Sequence, residues 1–331
     1  MNLRICMIGC GGFAQLCHGP SQRRIASGDP GVQLAACCDT DAGRAQDYAK
    51  AFGFARSYTD LLAMLAAEKP DAVVLAVSPP ATCRAACLVL ERGFPMLLEK
   101  PPGLSEVELD RMIAAAGSTG APAQVAFNRR SMPVLRKARE ILDAHFPPAS
   151  VSRIDYEMIR FNRWDADFST TAIHALDAAL FLARSPFVCA RLRFQAQRRA
   201  DIEAANVVLE AECASGTQVM VCVQPVAGRN AESARIHTIG QSLSIVIPAS
   251  PLSDEAGSLE HWSDDALVGA YAGDARDVGE RFGILGETEA FLRAVCSGTG
   301  FTPRLPDCRQ QVALMEAMRL GRSGAIHFAS P

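Results

Sequence analysis

The feature that most constrains this chain is an apolar strand near the amino terminus that runs directly into a glycine-rich turn. Residues 3–8 form the strand, and the turn after it contains Gly9, Gly11 and Gly12. Gly9 suits a tight turn, and Gly11 has no Cβ to obstruct a pyrophosphate. The small side chain of Ala14 lets the following helix pack closely, and the first N–H groups of that helix attract anions. The pattern predicts a dinucleotide-binding strand, turn and helix.

A second apolar strand supports this prediction. Residues 33–38 end at Asp39, whose carboxylate can accept hydrogen bonds from both hydroxyls of an adenosine ribose. We expect residues 19–20 and 27–31 to form an extended connection that lengthens the interval between turn and acid. A carboxylate at this position repels a 2′-phosphate, so NAD is favoured as the cofactor. Arg44 lies close enough to keep NADP as the less favoured alternative.

Size and charge indicate a protein that binds a small molecule. The 331 residues suffice for two domains. A net charge of −3 without a basic block gives no footprint for nucleic acid or an anionic membrane. We find neither a signal peptide nor an apolar span, and the twelve cysteines contain no C-x-x-C pair. We therefore expect a cytoplasmic protein without a structural metal.

Residues 1–123 are expected to form the dinucleotide-binding domain. Helical and strand patterns alternate there, which is typical of an α/β Rossmann-type, doubly wound parallel sheet. A ligand of such a sheet lies outside the carboxyl ends of the strands. In this chain those ends are Gly9 to Ala14, Asp39, Ser78-Pro79 and Glu99-Lys100.

Residues 124–331 are expected to form an α+β domain with a large, mainly antiparallel open sheet. Successive strand patterns joined by short turns predict the sheet, and one helix, residues 170–183, interrupts them. Because helices would cover only one face, we expect a homodimer or homotetramer built on the other. Residues 252–283 are rich in Asp, Glu, Gly and Ser and predict a long loop with little regular structure.

Lys100 is the first candidate for chemistry. It follows a buried strand at the edge where the cofactor is expected, so it can exchange a proton with a substrate oxygen beside the nicotinamide. Partial burial and a nearby nicotinamide cation would lower its pKa. The plain alternative is a surface lysine at a strand end.

These residues resemble the Gfo/Idh/MocA oxidoreductases, the family of glucose-fructose oxidoreductase and inositol dehydrogenase. The resemblance spans nearly the whole chain, and Glu99-Lys100-Pro101 is its most specific motif. The other matching segments are Gly9 to Ala14, Cys38 to Asp41, Ser78 to Pro80, Phe127 to Arg130, His174 with Asp177, and Glu287 to Phe291. The resemblance implies a two-domain enzyme that moves a hydride between nicotinamide C4 and a carbinol carbon of a sugar- or cyclitol-like substrate. It makes Lys100 the lysine of the family's Glu-Lys-Pro motif.

The chain departs from the family at one position. Family members carry an Asp four residues before a His, on one face of a helix, whereas here Thr170 precedes His174. Thr170 can bind a substrate oxygen or cap the helix but cannot act as a base near neutral pH. Three outcomes stay open: Lys100 and His174 share the proton transfer, Asp165 or Asp167 replaces the carboxylate, or the protein binds cofactor without ordinary turnover.

The remaining candidates are less specific. Asp177 could orient the ring of His174, and His18 is interpreted as local packing. The predicted cofactor-binding residues are Gly9, Gly11, Gly12, Phe13, Ala14, Asp39, Thr40, Ser78, Pro79, Glu99, Lys100 and Asn128. The predicted substrate-binding residues are Arg129, Asn162, Arg163, Thr170 and His174. The arginines could bind a carboxylate, a phosphate or sugar hydroxyls, or could form solvated charges or salt bridges.

Three functions are consistent with these residues. The first is an NAD-dependent oxidoreductase acting on a polyhydroxylated alcohol or its ketone, with Lys100 as the principal acid/base and His174 assisting as the second catalytic residue. The second is a glycosidase-type enzyme that uses bound NAD transiently to permit elimination, which would cleave a bond without net NADH. The third is a cofactor-binding sensor or accessory protein, suggested by Thr170.

Overall fold

The computed structural model describes residues 3–165, 167–274 and 277–329. Contacts between Cα atoms divide the chain into two units. The first contains residues 1–128 and 278–312, and the second contains residues 129–277 and 313–331. The predicted boundary between the two domains lies after residue 123. The structure instead puts residues 123–126 in a strand of the first sheet, and the late segment 278–312 returns to the first unit.

The first unit is built on a parallel six-stranded sheet. Its strand order is β3-β2-β1-β4-β5-β6, which is the doubly wound order that the sequence predicted. The strands are β1 (Leu3–Ile8), β2 (Val32–Cys38), β3 (Arg56–Tyr58), β4 (Ala72–Leu75), β5 (Met96–Glu99) and β6 (Ala123–Ala126).

The helices of the first unit follow the predicted alternation. They are α1 (Gly19–Gly28), α2 (Ala42–Phe52), α3 (Leu61–Glu68), α4 (Pro79–Leu90), α5 (Glu106–Thr119), α8 (Val278–Arg281) and α9 (Ile284–Ser297). Local sequence signals fix several ends. Asp60 accepts hydrogen bonds from two N–H groups at the start of α3, and Gly53 ends α2 in the left-handed conformation. The buried strands and helices share one apolar core, which includes Ile5, Val74 and Phe291.

The connection at residues 19–20 is not extended, contrary to the prediction. A π-helical turn spans Ala14–His18, and α1 continues directly from it with Pro20 in its first turn. Pro20 is the second residue of α1, an early helical position at which proline is tolerated.

The second unit is built on a nine-stranded sheet of order β14-β13-β12-β11-β7-β10-β9-β8-β15. Only β7 and β10 among the described pairs run parallel, so the predicted mainly antiparallel open sheet is confirmed. The strands are β7 (Val151–Phe161), β8 (Phe187–Arg199), β9 (Ile202–Cys213), β10 (Gln218–Ala227), β11 (Ala231–Thr238), β12 (Gln241–Ile247), β13 (Ser258–Ser263), β14 (Ala266–Ala272) and β15 (Gly324–His327).

Two helices of the second unit pack on this sheet. α6 (Pro133–His145) lies against β12, β13 and β14, and α7 (Ser169–Ala183) lies against β7 and β10. A further helix, α10 (Arg309–Arg319), runs across the chain boundary between residues 312 and 313. Short 3-10 turns occupy Asn128–Ser131, Pro148–Ser150 and Leu305–Cys308.

The long loop predicted over residues 252–283 is wrong for most of its length. β13, β14 and α8 lie within it, and residues 275 and 276 lie outside the described part of the chain. The two strands are joined by Asp264 and Asp265, which both have positive φ, at 48° and 65°. Two consecutive positive φ values match the right-handed twist of a hairpin, so an Asp-Asp pair makes the turn where glycine is more usual.

Candidate active site

The glycine turn has the geometry that its sequence predicted. Gly9 has φ +90°, and a Cβ there would lie 2.2 Å from the carbonyl oxygen of Ala76. A Cβ on Gly11 or Gly12 would meet nothing within 4 Å. Gly9 is therefore required by the fold, whereas the space above the other two glycines is open to a bound group. Ala14, which is buried, begins the π-helical turn.

Asp39 joins the glycine turn to the end of β2. Its Oδ2 accepts the backbone N–H of Cys10 at 2.9 Å, and its Oδ1 accepts the N–H of Asp41 at 3.0 Å. The half-exposed guanidinium of Arg44 lies 3.3 Å from Oδ1. Thr40 is exposed beside it. The carboxylate thus lies next to the turn, and Arg44 offsets part of its charge.

The carboxyl ends of β4 and β5 lie at the same edge of the sheet. Ser78 is exposed and precedes α4, which begins at Pro79. Glu99 ends β5, and its Oε2 accepts the backbone N–H of Lys100 at 3.1 Å. Lys100 is half-buried. Parallel strands bring these residues and the glycine turn to one edge of the sheet, as the strand pattern predicts.

Glu99 has a second partner that the sequence did not reveal. The Nε2 of His18 lies 2.8 Å from Glu99 Oε1, and His18 is completely buried. The two residues are 81 positions apart, so no local pattern could signal the pair. His18 is therefore more than a packing residue.

Asn128 is predicted to bind cofactor, and the structure gives it another partner. The residue is buried, and its side-chain amide donates to the carbonyl oxygen of Phe282 at 2.7 Å. This hydrogen bond connects the two chain segments of the first unit, residues 1–128 and residues 278–312.

Arg129 lies in a buried charged cluster of the second unit. Its Nε and Nη2 donate to the two carboxylate oxygens of Glu232 at 2.5 and 2.8 Å. Arg160 and the hydroxyl of Tyr156 also bind this carboxylate. Burial by itself raises the pKa of Glu232, but the charges of Arg129 and Arg160 outweigh it and hold the pKa at about 2. Arg129 thus has a buried structural partner, and its contact with substrate stays a prediction.

Asn162 and Arg163 belong to a surface network before α7. Trp164 donates to the side-chain oxygen of Asn162 at 3.0 Å. The guanidinium of Arg163 binds Asp165 and lies over the ring of Phe168, 5.3 Å from its centroid. Both residues, which are predicted to bind substrate, therefore interact with neighbouring residues of the same loop.

Thr170 and His174 lie one turn apart on α7. The hydroxyl of Thr170 donates to the carbonyl oxygen of Asp167 at 3.3 Å, and His174 is buried. Asp177 binds Arg130 through both carboxylate oxygens, at 2.9 and 2.6 Å. Asp177 is predicted to orient the ring of His174. Both of its carboxylate oxygens bind Arg130, so an interaction with His174 would have to share them.

Two acidic residues before α7 are the candidate replacements for the missing carboxylate. Asp165 pairs with Arg163, and Asp167 accepts the N–H of Ser169 and pairs with Arg319 at 3.1 Å. Asp167 thus binds the N–H of the first residue of α7, whereas the N-cap residue itself is Phe168. Both carboxylates already have partners.

The described residues contain no group of three or more His, Cys, Asp and Glu side chains arranged to hold a metal ion. All twelve cysteines are free thiols. No helix in the described ranges is long and apolar enough to cross a membrane.

A cavity of about 810 Å³ in the first unit lies away from these residues. Leu3 and Val32, at the starts of β1 and β2, line it together with residues of α1 and α9. Strand starts form the sheet edge opposite the glycine turn, so this volume does not mark the cofactor site.

Fold and site together define a Rossmann-type nucleotide-binding unit followed by an α+β unit. Residues 3–127 match the oxidoreductase family with an NAD-binding Rossmann fold, GFO_IDH_MocA. Over these residues the predicted resemblance to the Gfo/Idh/MocA oxidoreductases is confirmed.

Individual relatives match to different extents. D-apiose dehydrogenase of Paraburkholderia graminis is 33% identical over 130 residues, which are 39% of this chain and 33% of that protein. The chain thus spans a third of this relative's length. Inositol 2-dehydrogenase 1 of Saccharopolyspora erythraea is 25% identical over 93% of this chain and 98% of its own.

A solved structure extends the likeness of fold to both units. The oxidoreductase from Agrobacterium radiobacter, crystallised with NAD+, L-tartaric acid and magnesium, has a TM-score of 0.79 at 18% identity. The match covers 99% of this chain and 98% of that one. At this identity the likeness concerns the fold alone.

Proposed function

We propose that the protein is an NAD-dependent oxidoreductase that transfers a hydride between the nicotinamide and a polyhydroxylated alcohol or the corresponding ketone. One observation carries the proposal. The glycine turn, Asp39 and Lys100 lie at the carboxyl edge of one parallel sheet, in a unit that belongs to an NAD-binding family.

The residues at this edge fit a dinucleotide. The open space above Gly11 and Gly12 leaves room for a pyrophosphate beside the first N–H groups of the helical segment. Asp39 would accept the ribose hydroxyls. Asp39 and Asp41 together outweigh the charge of Arg44, so a 2′-phosphate would be disfavoured and NAD is proposed over NADP.

The nicotinamide, when bound, accepts or supplies the hydride. Lys100 takes the proton of the substrate hydroxyl as the carbinol carbon is oxidised, and returns a proton to the carbonyl oxygen in the reverse reaction. His174 assists this proton exchange. Because Thr170 cannot act as a base, Lys100 carries the larger share.

The substrate class rests on the names of relatives. D-apiose and inositol dehydrogenases act on compounds with several neighbouring hydroxyl groups. We propose a sugar or cyclitol as the substrate of this chain, with hydroxyl groups that Thr170 and His174 bind.

Titration and a substrate panel test the proposal. Protein fluorescence measures the dissociation constants of NADH and NADPH, and absorbance at the NADH band measures turnover of sugars and cyclitols. Lys100→Ala should abolish turnover and leave NADH affinity largely intact, whereas Lys137→Ala, an exposed lysine on α6, should change neither. Unchanged turnover in Lys100→Ala would overturn the catalytic role. Bond cleavage without net NADH would identify the elimination enzyme instead.

A cofactor-binding sensor is the second candidate function. It is favoured by the presence of Thr170, which cannot act as a base, four residues before His174. In this form the protein would bind NAD(H) and turn over none of the panel. Thr170→Asp places a carboxylate one helical turn before His174, and Thr171→Asp is a matched control because the next residue points about 100° away around the helix. Activity gained in Thr170→Asp alone would support a catalytic function that was lost.

We also propose that the protein forms a homodimer or homotetramer through the second sheet. The sheet face away from α6 and α7 carries half-exposed residues such as Met220 and Cys222 on β10. Sedimentation equilibrium measures the assembly. Met220→Lys should shift it toward the monomer, whereas a monomeric wild-type protein would contradict this proposal.

A further inference from the structure

His18 lies at the end of the π-helical turn that follows the glycine turn. The residue has no exposed surface, and the ring of Phe13 packs edge-on against it at 5.6 Å. One ring nitrogen, Nε2, lies 2.8 Å from Glu99 Oε1. The other, Nδ1, is buried and has no hydrogen-bond partner among the described residues. The hydrogen bond to Glu99 is therefore the one that the His18 side chain makes among the described residues.

Glu99 connects His18 to Lys100. A carboxylate only accepts hydrogen bonds, so the short contact requires a proton on Nε2 of His18. The second carboxylate oxygen of Glu99 accepts the backbone N–H of Lys100 at 3.1 Å. His18 thus holds one oxygen of a side chain whose other oxygen holds the peptide group of Lys100.

We propose that His18 is a positioning residue that fixes Lys100 through Glu99. This inference rests on the proposed role of Lys100 as acid/base. Without the donor on His18, the buried Glu99 carboxylate would lose a charge-assisted hydrogen bond and turn toward another donor. The chain would then leave β5 in a different direction, and a displacement of about 1 Å at a catalytic group can lower a rate about 100-fold.

The geometry also explains the π-helical turn. A π turn widens the helix by one residue and is frequent at functional sites. Here it spans Ala14–His18 and ends on the residue that reaches Glu99. The glycine turn, the first helix and the strand end that carries Lys100 are linked by this one bond.

Two conservative variants test the proposal. His18→Gln keeps an N–H donor at about the position of Nε2, whereas His18→Asn is equally polar but too short to reach Glu99. The chain contains four lysines, Lys50, Lys69, Lys100 and Lys137, so acylation of each by a succinimidyl acetate can be followed by mass spectrometry. This measurement requires neither a known substrate nor bound cofactor.

We expect His18→Asn to change the acylation rate of Lys100 by about threefold or more, because the reactivity of an amine depends on its position and surroundings. The other three lysines should react as in the wild type, and His18→Gln should restore the wild-type rate at Lys100. Where a panel compound is turned over, kcat should fall about 10- to 100-fold in His18→Asn with the NADH dissociation constant nearly unchanged.

The results that would overturn the positioning role of His18 differ from those that would overturn the proposed function. Wild-type reactivity of Lys100 in His18→Asn would overturn the positioning role, and so would an equal change at all four lysines, which reports general loosening. Turnover that survives Lys100→Ala would instead refute the catalytic assignment, and the acylation pattern would still decide whether His18 positions Lys100.

Discussion

The carboxylate of Asp39 accepts the backbone N–H of Cys10 at 2.9 Å, so the end of the second strand holds the glycine turn in place. The same side chain is the one expected to bind the adenosine ribose. Asp39 is therefore expected both to hold the glycine turn in position and to recognise the ribose.

Asp39→Asn should weaken NADH binding about 10- to 100-fold. The amide can present only one acceptor oxygen, so it cannot hold Cys10, Asp41 and two ribose hydroxyls together. The preference for NADH over NADPH should fall as well, because the negative charge is removed and Arg44 remains. Fluorescence titration measures both constants. Asp47→Asn, an exposed change on α2, is the control, and equal affinities in the two variants would contradict the role of Asp39.

Two glycines of the same turn should behave in opposite ways. Gly9→Ala brings a Cβ within 2.2 Å of a backbone oxygen at φ +90°, so we expect a loss of about 3 kcal/mol or more in the free energy of unfolding. Gly11→Ala meets no atom within 4 Å and should change stability by less than about 1 kcal/mol while weakening NADH binding. Urea denaturation and NADH titration separate the effects. Gly11→Ala with wild-type affinity would show that the cofactor does not approach this position.

The architecture of both units could be predicted because its signals are local and repeated. β4 is wholly buried and apolar, α2 ends at a glycine, and α3 begins at an aspartate that caps it. Such patterns lie within a dozen residues and do not depend on the rest of the chain.

The hairpin of β13 and β14 was missed because its signals are weak. Its first strand contains Ser, Glu and His, and its turn is Asp264-Asp265, which composition alone assigns to a loop. Pairing with β12 supplies the stability that local propensity does not.

The hydrogen-bond partners of the candidate site residues could not be predicted from the sequence, for a different reason. Glu99 meets His18 across 81 positions, and Arg129 meets Glu232 across 103. Only the register of the folded strands decides such contacts. One sign was present: Glu232 and Arg160 occupy buried positions in alternating strands, where apolar residues are expected, and opposite charges at such positions favour a buried pair.

Thr170→Asp should keep the fold and its stability within about 1 kcal/mol of the wild type, because an acidic residue near the start of α7 is favoured by the helix dipole. Its effect on turnover then reports chemistry alone. Thermal denaturation establishes the stability, and the substrate panel establishes the activity. A variant that melts far below the wild type would show that the hydroxyl bond of Thr170 to the carbonyl oxygen of Asp167 is structurally essential.

The cluster of Glu232, Arg129 and Arg160 should make the second unit sensitive to acid. The pKa of Glu232 is about 2 in the folded protein and ordinarily 4.5. A carboxyl whose folded pKa is depressed stabilises the protein fully above its unfolded pKa, and this contribution is lost as the pH falls from about 4.5 toward 2. Glu232→Gln leaves two buried guanidiniums without a counter-charge and should lower the free energy of unfolding by about 3–5 kcal/mol at pH 7. Urea denaturation at several pH values should show the difference from wild type shrinking below pH 4.5. Glu210→Gln, which removes an exposed pair with Arg193, should cost less than about 1 kcal/mol at every pH, and an equal loss in both variants would refute the special role of the buried cluster.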